Sequence, residues 1–211
     1  MRTLPIHPNI LIGILLLFYA VGSVGLVLPG YRTIFLGLSS YNLLLTFVIA
    51  ALSFDRWNGT KILFLVLCYL IGMLAEWIGT STGYLFGSYY YGKNLGIDFA
   101  GVPLVIGINW WILIVSSASL ARAILTSTMA KALLGATFMT LLDVLMEPVA
   151  IKSDFWHWHA ETIPIYNYVC WFFLSFLLHL LYQKLTLAES NKVLNVLFFV
   201  LVVFFGIQLI F

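Results

Sequence analysis

Residues 130–149 read AKALLGATFMTLLDVLMEPV, an apolar segment of membrane-spanning length that carries two carboxylic acids in its second half. About 20 predominantly apolar residues cross the hydrocarbon core of a bilayer as a helix. Acids in such a helix are costly in lipid, so they usually face a protein interior and mark a functional site. Asp143 and Glu147 are four residues apart and therefore share one helix face. We expect Pro148 to end or kink this helix.

The rest of the chain has the same character, since 63% of its 211 residues are hydrophobic and only 9% are charged. A soluble domain carries about 25% charged residues. Backbone polar groups cannot be left unpaired in lipid, so the apolar segments are expected to be helices. We predict an all-α membrane protein, a single domain over 1–211 with about seven transmembrane helices at 9–28, 33–54, 61–80, 102–121, 130–149, 164–183 and 193–211.

The basic residues predict the orientation of these helices, because cytoplasmic loops are enriched in Lys and Arg. With seven spans, one side of the membrane receives seven basic residues: Arg2, Arg56, Lys61, Arg122, Lys131, Lys184 and Lys192. The other side receives three: Arg32, Lys93 and Lys152. We therefore expect a multi-pass protein of the plasma (inner) membrane with a cytoplasmic N-terminus and an external C-terminus. Asp55 and Glu189 then fall on the cytoplasmic side, in short charged loops.

This topology places four acids toward the outer side of the membrane. Glu76 lies in the outer half of the third span, Asp143 and Glu147 in the outer half of the fifth, and Asp98 in the long loop 81–101. Two carboxyl groups in a dry site cannot both ionise easily, so one of the Asp143–Glu147 pair should hold its proton. A neutral acid beside a carboxylate base is the division of labour that general acid–base catalysis needs.

Aromatic and polar side chains surround these acids in the sequence. Trp and Tyr gather at membrane interfaces without catalytic duty, but they can also form a pocket wall that stabilises a cation. The candidates for substrate binding are Tyr84, Tyr89, Asn109, Trp110, Trp156 and His157. Gly79, Gly83 and Gly87 form a groove for helix packing if they are helical, and allow backbone to line a cavity if the chain unwinds.

Several other chemistries are disfavoured. His157 and His159 could bind a metal, but the remaining two histidines do not converge on them, so a lid over the site is the better interpretation. No lysine in the last span could attach retinal, and no diphosphate-binding motif is present. No basic patch suggests a nucleic acid partner. We expect no metal and no cofactor.

Three stretches together resemble the membrane carotenoid-biosynthesis family of carotenoid 1,2-hydratases, the γ-carotene 1′-hydratase and bisanhydrobacterioruberin hydratase type. They are Glu76–Gly79 leading to Gly83–Tyr91, Gly101–Leu104 followed by Asn109–Trp111, and Asp143–Pro148 with Phe155–Trp158. Pro164, Tyr166–Tyr168 and Trp171 fit the same pattern. The likeness covers about residues 70–175. The family pattern has a second aspartate where this chain has Glu147, whose carboxyl reaches one methylene further.

The resemblance implies addition of water to the terminal C1,C2 double bond of an acyclic carotenoid such as lycopene or γ-carotene, bound within the bilayer. A carboxylic acid would protonate the alkene, and water would capture the tertiary carbocation as an alcohol. We expect Asp143 to be the proton donor and Glu147 and Glu76 to position water or act as base, with Asp98 as a weaker candidate. Other pathway enzymes or a second copy of the chain would be the protein partners.

Three alternatives stay open from sequence. A carotenoid cyclase begins with the same protonation, but a neighbouring double bond captures the cation. A proton-coupled transporter also uses intramembrane acids, although such folds often contain inverted repeats that are not evident here. A non-catalytic membrane subunit would scaffold other enzymes of the pathway and would not need the acids.

Overall fold

Helices make up most of the chain in a computed structural model that describes residues 6–185 and 190–211. Within these ranges the helices are α1 (Pro8–Val27), α2 (Arg32–Gly37), α3 (Ser39–Leu52), α4 (Gly59–Thr82), α5 (Val105–Ile124), α6 (Thr128–Lys152), α7 (Ile165–Lys184) and α8 (Lys192–Ile210). Arg2 and Glu189, used in the topology prediction, lie outside the described residues. The prediction of an all-α membrane protein is confirmed.

Six of the described helices are long and apolar enough to cross a membrane, namely α1, α4, α5, α6, α7 and α8. The predicted second span, 33–54, differs because it contains α2 and the 14-residue α3 instead of one long helix. The break falls at Leu38, between Gly37 and the pair Ser39–Ser40, and glycine and serine are poorer formers of helix interior than alanine or leucine. A helix of this length covers about 21 Å, which is less than the hydrocarbon thickness.

The sequence predicts that Pro148 ends or kinks its helix, but the structure shows that α6 does not end there. It continues to Lys152 and is closed by Ser153, whose backbone N–H donates to the carbonyl of Val149 at 2.9 Å. Both acids of the pair are therefore well inside the helix. They lie within three turns of its C-terminal end.

Helix α5 is the centre of the bundle. In its most apolar window 72% of residues are buried, against 33–39% for the other span-length helices. It packs against α3, α4, α6 and α8 and also contacts α7. Ser116, Ser117 and Ala118 lie on α5 and are fully buried. Small side chains of this kind let neighbouring helices approach closely in membrane proteins.

Four short strands, none of them predicted, lie between α4 and α5 and between α6 and α7. Strand β1 (Tyr89–Tyr91) pairs antiparallel with β4 (Trp156–Trp158), and β2 (Asp98–Phe99) pairs antiparallel with β3 (Val102–Pro103). The chain reaches β1 by leaving α4 at Gly83, which has a left-handed φ of +70° that glycine adopts without strain. Gly79 lies within α4, but the chain is no longer helical at Gly83 and Gly87, so the second interpretation of these glycines, an unwound chain, holds after Thr82.

The alternation of helix directions brings four helix ends together. Helices α4 and α6 finish, and α5 and α7 begin, at the end of the bundle where the β1–β4 sheet lies. Arg32 ties α2 to this same end, because its Nη2 donates to the backbone carbonyl of Lys152 at 3.1 Å. The assignment of this end to the outside of the membrane stays a prediction.

Candidate functional site

Glu76 lies near the end of α4 with its carboxylate surrounded by hydrogen-bond donors. Trp110 of α5 donates its indole N–H to Oε1 at 2.9 Å. Tyr91 of β1 donates its hydroxyl to Oε2 at 2.7 Å, and the hydroxyl of Tyr89 bonds the same oxygen. Glu76 is only 4% exposed. Three neutral donors from two neighbouring elements therefore fix this buried carboxyl group in one orientation.

Tyr89 and Tyr91 keep their protons in this arrangement. Burial raises the pKa of each phenol well above its usual value, and the adjacent Glu76 carboxylate raises it further. Both hydroxyls are therefore donors throughout the physiological pH range. A carboxylate with such donors is held in place without a cation beside it.

Asn167, at the beginning of α7, joins the two acids of α6. Its side-chain amide nitrogen lies 3.0 Å from Oδ2 of Asp143 and 3.0 Å from Oε1 of Glu147. An asparagine amide has two N–H groups, so one side chain serves both carboxyl groups. Asn167, Asp143 and Glu147 are at most 2% exposed. The predicted proximity of Asp143 and Glu147 is thus reinforced by a bridge from a second helix.

The β1–β4 sheet covers Glu147. Its Oε2 accepts indole N–H bonds from Trp156 at 3.0 Å and Trp158 at 2.8 Å, both on β4. Successive side chains of a strand point to opposite faces, so these two tryptophans share one face. Tyr89 and Tyr91 pair with them in register and bond Glu76. One face of a two-stranded sheet therefore supplies donors to carboxyl groups on two helices.

The hydrogen bonds distinguish Asp143 from its neighbours. Glu76 and Glu147 each accept three bonds, and every one of their oxygens is engaged. Asp143 accepts one bond, through Oδ2. Its Oδ1 is buried and has no partner among the described residues. Of the six carboxyl oxygens in the group, this is the one that no described residue holds.

A small cavity lies between these groups. Its volume is about 20 Å³, enough for one water molecule. The polar part of its wall comes from Glu76, Glu147, Asn109 and Asn167, with the two tyrosines and the tryptophans of β4. Asp143 does not line it and connects to it through Asn167.

Aromatic rings form much of the remaining wall. The indoles of Trp110 and Trp171 stack with centroids 4.4 Å apart and planes inclined by 10°. Phe86 contacts both at about 6 Å. Ring faces carry negative charge density that attracts cations. The cavity therefore combines two carboxyl groups with aromatic faces. Both kinds of group can stabilise a positive charge that forms inside the cavity.

Among the predicted residues, the structure brings together Glu76, Glu147, Tyr89, Asn109, Trp110 and Trp156 in the cavity wall, with Asp143 directly behind. Asp98 is separate from this group. It is exposed, and its Oδ1 accepts from the backbone N–H of Gly101 in the β2–β3 turn. This bond stabilises the turn, so Asp98 has a structural role there and is not part of the site.

Two predicted substrate-binding residues also lie outside the cavity wall. The side chain of Tyr84 is 79% exposed, so it faces the surroundings of the bundle. His157 is on the outer face of β4, where its Nε2 donates to Oδ1 of Asp154 at 2.7 Å. That bond lowers the pKa of Asp154 below its ordinary value. His157 thus helps to position the covering sheet.

Sequence reasoning assigned no site role to several wall residues, which are Phe86, Tyr91, Trp158, Asn167 and Trp171. Asn167 had the clearest available signal, since it is a polar residue at the start of an otherwise apolar helix. Tyr91 and Trp158 follow the period of two of their strands, but runs of three residues are too short for a strand to be predicted. By composition Trp171 resembles any other aromatic residue of a membrane helix, and its only signal was that it fits the family pattern, as Asn167 also does.

A family model described as carotenoid biosynthesis protein matches residues 37–211, which include every residue of the site. No curated protein and no solved structure matches the chain. The matched region begins within α2 and so leaves out α1.

Proposed function

The chain belongs to the carotenoid biosynthesis protein family, and from that premise we propose that it hydrates a carotenoid. Water adds across the terminal C1,C2 double bond of an acyclic end, as in lycopene or γ-carotene, and leaves a tertiary alcohol. The observation that supports this most is a water-sized cavity walled by two buried carboxyl groups and by aromatic faces. A polyene is as apolar as lipid, so a site within a multi-pass bundle, in the plasma membrane, suits it.

The proton comes from the Asp143–Glu147 pair, which holds one proton in the resting state. Two adjacent carboxyl groups in a dry environment do not both ionise readily. Glu147 accepts three hydrogen bonds, as a carboxylate does, whereas Oδ1 of Asp143 has no donor among the described residues. Asp143 is therefore the protonated member at rest. Asn167 keeps the two groups in register.

Protonation forms a C–H bond at the less substituted carbon of the alkene and leaves a tertiary cation at the other carbon. The pair is then fully ionised, and Glu76 contributes a third carboxylate across the cavity. The stacked indoles of Trp110 and Trp171 add ring faces at the wall. Fixed groups of this kind stabilise charge in the transition state without having to reorganise.

Water in the cavity completes the addition. Its oxygen bonds the cationic carbon, and its proton passes to Glu147. Transfer of that proton within the pair to Asp143 restores the resting state. Atoms and charges balance, since one alkene and one water become one alcohol. The cavity as it stands holds water but not an end group of the substrate, so binding must widen it and bring the alkene to Asp143, which lies behind the wall. Met146 in the wall is an unbranched, adaptable side chain that can move at low cost.

The polar wall favours hydration over cyclisation. A cyclase must keep water away from the cation so that a double bond of the substrate reaches it first. Here four side chains that bind water well, Glu76, Glu147, Asn109 and Asn167, surround a space of one water molecule. The three buried acids among the described residues, Glu76, Asp143 and Glu147, lie together at one end of the bundle, whereas a proton-coupled transporter relays protons across the membrane.

Expression in a host that makes lycopene or γ-carotene tests the proposal, with pigments resolved by chromatography and mass. We expect a product heavier by one water. Asp143→Asn keeps the shape but lacks a proton to give, and should slow conversion by about 10²–10⁴-fold. Asp55→Asn, in an exposed loop at the opposite end, is the matched control and should convert normally. An isomer of unchanged mass would identify a cyclase, and unchanged pigments would refute catalysis on these substrates.

A further inference from the structure

Asn109 is a polar residue of α5 whose side chain does not bond any described residue. It lines the cavity together with Glu76 and Glu147. The other polar groups of the wall have protein partners: Trp110, Tyr91 and Trp158 donate to the carboxyl groups. Asn109 is half-buried, and an amide that lines a cavity without a protein partner has its hydrogen bonds satisfied by water or a ligand.

The carboxyl groups in the wall also have capacity left. A carboxylate offers about four acceptor positions. Glu76 and Glu147 each use three of them for protein donors, so each can accept one more bond. An ordered water needs two to four polar partners. The Asn109 amide and the carboxylates of Glu76 and Glu147, which all line the cavity, supply such a set.

We propose that Asn109 binds and aims the water that captures the carbocation, and that it thereby decides the fate of the cation. Asn109 is then a specificity-determining residue that acts after the proton has been transferred. This inference rests on the proposed hydration, because without a cation there is nothing for the water to capture. It assigns protonation and water capture to different side chains.

Separation of these two steps gives a distinctive expectation in deuterated water. The pair donates a deuteron to the alkene, and the cation either takes up water or loses a proton from an adjacent carbon to return to an alkene. The second route leaves deuterium in the end group without a gain of water. Glu147 accepts the lost proton, so the charge balances. The ratio of alcohol formed to deuterium retained in recovered alkene thus measures water capture alone.

Asn109→Leu removes the amide and keeps a similar volume. We expect the alcohol-to-deuterium ratio to fall by about tenfold or more, because a misplaced reacting group costs up to roughly a hundredfold in rate. Deuterium should continue to enter the recovered substrate. The matched control is Asn42→Leu in α3, an asparagine that does not line the cavity, and its ratio should equal that of the unmodified protein.

Two results would overturn the inference. An unchanged ratio in Asn109→Leu would mean that other groups hold the water. Loss of both alcohol and deuterium would place Asn109 in protonation or in folding. If the leucine variant does not accumulate, Asn109→Val carries the same test, since the ratio does not depend on the amount of folded protein, and an unchanged ratio there would be equally decisive. Absence of alcohol from the unmodified protein would instead refute the hydration itself.

Discussion

Gly72 is the position where a single methyl group tests the site most directly. It lies on α4 one turn before Glu76, so both face Trp110 of α5. A Cβ at position 72 would lie 2.7 Å from Cγ and Cδ1 of the Trp110 indole. Carbon atoms pack at about 3.5–4.0 Å, so Gly72→Ala requires the indole to move by about 1 Å. The stacked Trp171 behind the indole resists that movement.

The direction in which the Trp110 indole moves determines the effect on the Glu76 carboxyl group. Moving the indole away from Gly72 also moves it away from Glu76 on the same face of α4. The Trp110–Glu76 bond is 2.9 Å long, and a shift of about 1 Å takes it beyond hydrogen-bond range. A bond to a charged group contributes about 1.5–3 kcal/mol. If the free energy of the transition state rises by this full amount, turnover falls roughly ten- to hundredfold.

The assay compares conversion per folded protein in membranes, together with thermal unfolding in detergent. We expect Gly72→Ala to lower turnover by that factor and the free energy of unfolding by about 1–3 kcal/mol through overpacking. Gly13→Ala on α1 is the control, since a Cβ there has nothing within 4 Å. Adding Trp110→Phe to Gly72→Ala should restore stability but not turnover, because phenylalanine has no N–H. Normal turnover and stability in Gly72→Ala would refute the reasoning.

Two further substitutions separate the site from the scaffold. Gly79→Ala would place a Cβ 2.8 Å from the Tyr89 hydroxyl, so we expect it to displace this donor from the carboxyl group and to reduce turnover, measured as for position 72. Ser117→Ala removes a 2.8 Å contact with Nε2 of the fully buried His179. Interhelical bonds in membranes contribute about 0.6 kcal/mol and at most about 1.7 kcal/mol. We expect a lower unfolding temperature with an unchanged product mixture, and an altered mixture would show that this pair belongs to the site.

The membrane class and most helix bounds could be read from the sequence because both depend on local composition. Stretches such as 61–80 and 164–183 were predicted within about two residues of α4 and α7. The break in 33–54 was missed, since a run of apolar residues does not reveal where a helix is interrupted. The strands were missed for a related reason. Three residues are too few for a period to be recognised, and β1 and β4 stabilise each other only after the helices have brought their loops together.

The sequence by itself determined that Glu76, Asp143 and Glu147 must find protein partners, because lipid offers a carboxyl group none. Spacing by four also placed Asp143 and Glu147 on one face of a helix. Only the tertiary structure decided what those partners are. Asn167 bridges the pair from another helix, Tyr91 and the tryptophans of β4 come from loops far apart in the chain, and the remaining space admits one water molecule. These contacts depend on how helices and loops pack at long range, and no local pattern of residues encodes them.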